Sequence, residues 1–252
     1  MSVVAPGQPT LRTASPDVAL VAPVYNEEEG IEEFVREADR ELAKLGRSYE
    51  LICIDDGSRD RSQEILLRLK QDFPNLRVIA LQGNHGQSAA FDAGIQCARA
   101  EIVVLIDADM QNDPADIGKL IDALEKHDAA CAAGCRANRK DTRMRKLQSK
   151  IANTVRIWIT KDPVKDTGCS LKAFRAEVLK RCTLYKGMHR FFTTLIRMEG
   201  GTVVEVDVNH RPRTQGVPKY GSGLGRTFTA LRDAWAVRWM QKRYLLYKAD
   251  EL

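Results

Sequence analysis

Between residues 17 and 134 short apolar runs alternate with stretches of helical period, and this alternation most limits what the chain can fold into. Residues 17–24, 49–54, 76–81, 102–106 and 129–135 read as strands. Residues 27–45, 60–71, 87–99 and 114–126 read as helices. Strand–helix alternation predicts an α/β fold, with a mostly parallel sheet flanked by helices. Ligands of such sheets bind at the carboxyl ends of the strands.

The polar clusters fall at those ends. Pro23-Val24-Tyr25-Asn26-Glu27 follows the first strand, and Asp55-Asp56-Gly57-Ser58 the second. Gly83-Asn84-His85-Gly86-Gln87 follows the third, and Asp107-Ala108-Asp109-Met110-Gln111 the fourth. Scattered surface acids would not select one edge four times. Asp56-Gly57 also suits a simple tight turn, and His85 reads as a polar loop residue.

The run 102–106 ends in two acids spaced i, i+2. An unpaired charge is too costly to bury in a core, so both carboxylates belong at a strand end. Together they can share a hard divalent cation such as Mg²⁺ or Mn²⁺, which takes oxygen ligands and bridges to a substrate diphosphate. Taken alone, an acid-x-acid pair also fits a solvated loop. Pro114 then suits the opening of a helix.

A chain of 252 residues, 44% hydrophobic, fits one large domain. Residues 1–16 read as a loose polar tail without a signal peptide's apolar core. No apolar run approaches the roughly 18 residues of a membrane span. The six cysteines lack zinc-ligand pairing and read as buried free thiols in a reducing compartment. Charge is sharply divided. Residues 1–134 carry 13 Lys and Arg against 24 Asp and Glu, a net of −11; residues 135–252 carry 26 against 10, a net of +16. The basic half implies an anionic partner.

Past residue 135 the rhythm breaks. Residues 141–159 read as a helix with Leu147, Ile151, Val155 and Trp158 on one stripe, among Arg and Lys. Strands are expected at 170–174 and 202–208, helices at 177–182 and 190–199, and an irregular Gly-rich segment at 214–225. Residues 226–247 read as a basic helix with Phe228, Leu231, Trp235 and Trp239 on one stripe. Such helices suit a membrane interface. The C-terminal one equally suits docking on the protein's own core through that stripe.

In this order, the motifs resemble those of family 2 glycosyltransferases of the GT-A fold, and most of all the dolichol-phosphate mannose synthase branch, the polyprenyl-phosphate glycosyltransferases. The resemblance runs from about Ala19 to about Tyr220. Besides the four clusters it rests on Gly134-Cys135-Arg136, Asp166-Thr167-Gly168-Cys169, Arg211-Pro212-Arg213 and Pro218-Lys219-Tyr220. It implies a GT-A domain over residues 17–225, with an interface helix at about 141–159 and a C-terminal amphipathic helix over 226–252. It further implies that Pro23, Tyr25, Glu27, Asp55, Asp56 and Gln87 bind the nucleotide. Asp107, Asp109 and Gln111 would hold the metal and the donor diphosphate. Arg136, Arg145, Ser149, Arg213 and Lys219 would contact acceptor or leaving-group phosphates, with Arg213 and Lys219 counted with the aspartates as catalytic. Arg145 and Lys219 also fit solvated surface charges. Many members carry C-terminal transmembrane helices that this chain lacks, and Pro218 stands where a serine is common.

The expected reaction moves a sugar from a UDP- or GDP-linked donor to a polyprenyl phosphate, with inversion. The acceptor's second pKa of about 6 leaves it anionic near neutral pH, so no protein base is required. The expected place is the cytoplasmic face of a membrane, through peripheral contact with anionic lipid. A homo-oligomer or a membrane-anchoring partner stays open. A hydroxyl acceptor on a sugar or protein would instead need a general base. A non-enzymatic membrane-surface or nucleic-acid module would use the basic half without needing the aspartate pair. Nucleic acid is not expected, because no binding motif for it is present.

Overall fold

A computed structural model describes residues 15–136, 153–212 and 224–247, with side chains in the last segment from residue 229 onward. The strands are β1 (Val18–Val24), β2 (Tyr49–Asp55), β3 (Leu76–Ala80), β4 (Ile102–Leu105), β5 (Cys131–Arg136), β6 (Lys172–Arg175) and β7 (Val203–Val208). The helices are α1 (Ile31–Ala43), α2 (Ser62–Asp72), α3 (Gln87–Cys97), α4 (Ile117–Lys126), α5 (153–160), α6 (Ala176–Arg181), α7 (Phe192–Met198) and α8 (Leu224–Gln241). Short 3₁₀ turns at Pro114–Asp116 and Met188–Phe191 lead into α4 and α7.

All seven strands form one sheet in the order β3-β2-β1-β4-β6-β5-β7. The pairs β1–β2, β1–β4, β2–β3 and β5–β7 are parallel, while β6 runs antiparallel to both β4 and β5. The expected α/β sheet is therefore present, with one reversed strand at its centre. β1 and β4 are buried on both faces, which explains their uninterrupted apolar sequence.

Alternation along β1 splits the core in two. Val18, Leu20, Ala22 and Val24 pack against α1, α2 and α4. Ala19 and Val21 face the other way, toward α3, α6, α7 and α8. α3 lies hard against the sheet at Gly94, where an added Cβ would sit 2.4 Å from Val21 Cγ1. On that same side, buried Asp162 after α5 accepts the Thr193 and Thr194 hydroxyls of α7 at 2.7 and 2.8 Å.

The basic C-terminal helix differs from expectation in extent, and of the two orientations expected for its stripe it takes the outward one. It ends at Gln241, not Tyr247. Beyond it the chain turns so that the Tyr244 hydroxyl donates to Glu199 at the end of α7. α8 docks through small residues, Ala234 and Val237, while Leu231, Trp235 and Trp239 of the expected stripe face outward. On α5, Val155 packs against the core and Trp158 points out, 63% exposed. Leu147 and Ile151 lie outside the described residues. The cysteine expectation holds for Cys53, Cys131, Cys169 and Cys182, but Cys97 is exposed and Cys135 partly so. Cys97 is the last residue of α3 and lies on the helix's outer face. Burial pushes the Cys53, Cys131 and Cys182 thiols up to about 12, so they are not nucleophiles at neutral pH.

Candidate active site

The first three strand-end clusters form one interlocked rim. Asp56 N donates to Val24 O at 2.8 Å, tying the second cluster to the first strand. Asn26 N donates to Ser58 Oγ at 3.0 Å, Glu27 N to Ser62 Oγ at 2.7 Å, and Arg59 N to Asn26 Oδ1 at 2.7 Å. The buried Asp56 carboxylate accepts from His85 N at 2.7 Å, Gly86 N at 2.8 Å and Asn84 Nδ2 at 3.1 Å. Asp56 thus stitches the third cluster to the second. Asp55 is also buried and accepts from Ser58 N at 3.1 Å. Pro23, Tyr25 and Glu27 stay partly exposed along the rim. Gly57 makes the closure feasible, with φ of +69° and a virtual Cβ only 2.5 Å from the Gly83 carbonyl carbon.

The third cluster reaches over β2 and β1 to the fourth. Gln87, first residue of α3, donates from Nε2 to Asp107 Oδ1 at 2.6 Å. Asp107 also takes a hydrogen bond from the Ser170 hydroxyl, whose oxygen accepts from Asn112 Nδ2 at 2.8 Å. Burial, and then the charge of Asp109, push the Asp107 carboxyl up to about 6, against the pull of Ser170, Lys172 and Gln87. A carboxylate has about four lone-pair sites, so two donors leave room for a cation. Two hard-oxygen ligands whose charges repel fit Mg²⁺ or Mn²⁺. Among the described residues no three His, Cys, Asp or Glu side chains converge as a closed metal cage. An open site that keeps positions for substrate phosphates is the usual pattern for Mg²⁺.

Met110, between Asp109 and Gln111, has φ of +61°. Such a conformation costs a non-glycine residue about 1–3 kcal/mol and must be held from outside. Gln111 N donates to Asp109 Oδ1 at 3.2 Å, and Gln111 O accepts from Arg211 N at 2.8 Å. The backbone of Gln111 is therefore fixed beside the aspartate pair.

Sequence reasoning missed three groups here. Lys172 is buried at the start of β6, opposite Leu105 of β4, and its ammonium donates to the Thr167 and Cys169 carbonyls. Its charge opposes the upward shift at Asp107. Ser170 stands beside Asp107, directly after the Asp166–Cys169 motif, with no local sign of that partner. Ser88 Oγ accepts from Gly187 N at 3.0 Å and lies 2.7 Å from His189 Nδ1. A hydroxyl can both donate and accept, so Ser88 serves either tautomer of that imidazole. Burial, then Arg190 and Lys172, push His189 down to about 4 and keep it neutral.

Arg136, expected to meet phosphate, is held in a bidentate pair by Asp166, with Nε and Nη2 at 2.7 and 2.8 Å. Burial alone would raise the Asp166 carboxyl, but the guanidinium outweighs it and holds that carboxyl below its ordinary value. Arg145, Ser149, Arg213 and Lys219 lie outside the described residues. A separate cavity of about 310 Å³, lined by Arg197, Met198, Gln241, Tyr244 and Leu246, shares no residue with the aspartate site.

Both the sequence and the fold have known relatives. The family model described as glycosyl transferase family 2 matches residues 19–183. Dodecaprenyl-phosphate galacturonate synthase of Rhizobium johnstonii is 35% identical over 92% of this chain and 68% of its own. Undecaprenyl-phosphate 4-deoxy-4-formamido-L-arabinose transferase of Pectobacterium atrosepticum is 36% identical over 81% of this chain, which spans 62% of that protein's length. Among solved structures, a mannosyltransferase of Pyrobaculum calidifontis in complex with GDP-mannose and Mn²⁺ aligns with TM-score 0.60 and 22% identity, over 83% of this chain and 59% of that one. Glucosyl-3-phosphoglycerate synthase of Mycobacterium tuberculosis, in complex with Mn²⁺, UDP-glucose and phosphoglyceric acid, aligns with TM-score 0.64 and 17% identity, over 92% and 82%. These two likenesses establish the GT-A fold.

Proposed function

Because the chain belongs to glycosyl transferase family 2, we propose that it moves a sugar from a nucleotide-sugar donor to a polyprenyl phosphate at a membrane surface. The observation that carries this reading is the contact from Gln87 to Asp107, which joins the rim at the first three strand ends to the aspartate pair. A nucleotide lying along the rim would bring its diphosphate to Asp107 and Asp109. The polyprenyl-phosphate acceptor comes from the two curated relatives' names. The basic second half of the chain supports it.

Asp107 and Asp109 would hold a Mg²⁺ or Mn²⁺, which supplies charge stabilisation for the departing diphosphate. Gln87 and Ser170 orient the Asp107 carboxylate, and Lys172 offsets the charge of the aspartate pair. Arg213 and Lys219 are assigned to the phosphates on the resemblance of their motifs. An acceptor that is already anionic needs positioning, not deprotonation.

Peripheral contact with anionic lipid is supported by the surface. Among the described residues, eight of the ten exposed large apolar side chains (Trp158, Leu231, Trp235, Trp239, Tyr244, Leu245, Leu246 and Tyr247) belong to α5, α8 and its tail, Leu67 and Tyr185 being the others. The Trp158 and Trp235 rings meet edge to face, 6.2 Å between centroids. Lys161 lies over the Trp158 ring and Arg243 over the Trp239 ring. Aromatic rings ringed by cations suit the headgroup layer. No helix among the described residues is long and apolar enough to cross a membrane. The cytoplasmic face is assigned with the nucleotide-sugar donor.

The test is turnover of UDP- and GDP-sugars with Mn²⁺ or Mg²⁺, with and without polyprenyl phosphate. Transfer that requires the lipid phosphate is the expected result. Donor binding without lipid transfer would move the acceptor to a hydroxyl.

A further inference from the structure

The loop after the aspartate pair is gripped from outside by an overhang of β7. Past Val208 the chain continues through Asn209, His210 and Arg211, and each residue takes hold of that loop. Asn209 N donates to Asp116 Oδ2 at 2.5 Å. His210 forms an antiparallel bridge with Asn112. Arg211 N donates to Gln111 O at 2.8 Å. The Arg211 guanidinium then forks. Nη2 reaches Asp113 Oδ1 at 2.7 Å and Glu37 Oε1 at 2.9 Å, while Nη1 reaches Glu37 Oε2 at 2.8 Å. Glu37 sits on α1, and its side chain and that of Asp113 are 13% and 14% exposed. These low-exposure, charge-assisted bonds are the strong kind.

The place of the grip decides its meaning. Met110 is in the left-handed region, and a strained residue persists only where its surroundings over-determine it. The next residue, Gln111, gives its N–H to Asp109 and its carbonyl to Arg211. Holding Gln111 therefore holds Met110 left-handed and sets the direction of Asp109. Arg211 also separates two anions, Glu37 and Asp113, that would otherwise repel across the joint between α1 and the loop.

We propose that Arg211 is a positioning residue of the transfer site: by clamping Gln111 and Asp113 to Glu37 it aims Asp109 at the metal position. The clamp rests on the functional reading above only in assigning the aspartate pair to a metal.

Three variants test it: Arg211→Met removes the fork, Arg211→Lys keeps a charge without it, and Glu37→Gln weakens its anchor without touching the loop. Mn²⁺ binding is followed by the spin-resonance signal of the free ion, alongside thermal unfolding and amide hydrogen exchange. Loss of an outer-shell partner weakens metal affinity by about 10–100-fold. The expected result is a loss in that range for Arg211→Met, a smaller loss for Glu37→Gln and Arg211→Lys, and faster exchange confined to residues 109–113. If Arg211→Met does not fold, the same readouts on Glu37→Gln decide. A folded Arg211→Met or Glu37→Gln protein that binds Mn²⁺ as tightly as wild type overturns the proposal, as does Arg211→Lys performing no better than Arg211→Met. Wild-type protein that binds no Mn²⁺ would instead overturn the metal assignment. In that case unchanged exchange at 109–113 in Arg211→Met overturns the clamp independently.

Discussion

Gln87 and Asp107 are joined by a 2.6 Å hydrogen bond from the first residue of α3 to the end of β4. The two strands preceding these residues are not neighbours, since β2 and β1 lie between β3 and β4. The bond therefore spans the rim and unites two half-sites into one.

Breaking the aspartate pair should stop the chemistry without unfolding the domain. Asp107→Asn and Asp109→Asn are each expected to lower metal-dependent transfer by at least about 10²-fold. Gln87→Ala, which removes only an orienting donor, should cost about tenfold. Steady-state transfer rates at saturating Mn²⁺ check the order. Near-normal rates in both aspartate variants would remove the pair from the mechanism.

Asp107 makes the metal-free protein sensitive to pH. Its folded pKa is raised from 3.8 to about 6. The folded state therefore holds that proton longer than the unfolded chain, and the contribution is lost as pH rises from about 4 through about 6. Asp107→Asn should stabilise the metal-free protein at pH 7 by on the order of 2 kcal/mol, with the gain vanishing near pH 4. His189, lowered to about 4, acts oppositely: its contribution is lost as pH falls from 6.5 toward 4. Chemical denaturation of Asp107→Asn and His189→Gln against pH separates the two slopes. An Asp107→Asn curve parallel to wild type would refute the first.

Gly57 and Gly46 both have positive φ, but only Gly57 has neighbours in the way. Gly46→Ala should cost about 1 kcal/mol of backbone strain. Gly57→Ala adds a clash with Gly83 and should cost about 3 kcal/mol or more, with weaker donor binding as the Asn84–Gly86 segment shifts. Urea midpoints compare them directly, and equal midpoints would contradict the rim geometry.

The outward aromatic face should bind lipid. Trp158→Ala with Trp235→Ala removes exposed rings, so folding is expected to hold. Partition onto anionic liposomes should fall by about tenfold or more, the equivalent of 1.4 kcal/mol. High salt should release the wild-type protein. Unchanged binding of the double variant would place lipid contact elsewhere on the chain.

Much of this architecture was legible because it depends on local period. Buried strands such as Ile102–Leu105 and amphipathic helices such as α1 declare themselves within a dozen residues. The strand-end placement of Asp55, Asp107 and Asp109 followed from that period alone. What stayed hidden depends on partners distant in sequence. Nothing near Lys172 indicates a buried strand reversed between β4 and β5, and nothing near Arg211 points to Glu37. Arg136 read as a free phosphate contact because Asp166 is thirty residues away. The α8 stripe was ambiguous for the same reason. Large apolar residues mark a face, but only the packing of Ala234 and Val237 shows which face turns inward.

The reversal of β6 also fixes where the chain returns. Since β6 is antiparallel to β5, the chain leaves the sheet at Arg136 and re-enters at Lys172 on the same edge, the one that carries the aspartates. The Arg136–Asp166 pair closes the neck of that excursion. The excursion is thus anchored at both ends beside the aspartates, and within it Asp162 ties back to Thr193 and Thr194 of α7. Opening that neck would loosen the path from Asp166 to Ser170, and so reach the Asp107 carboxylate without touching it.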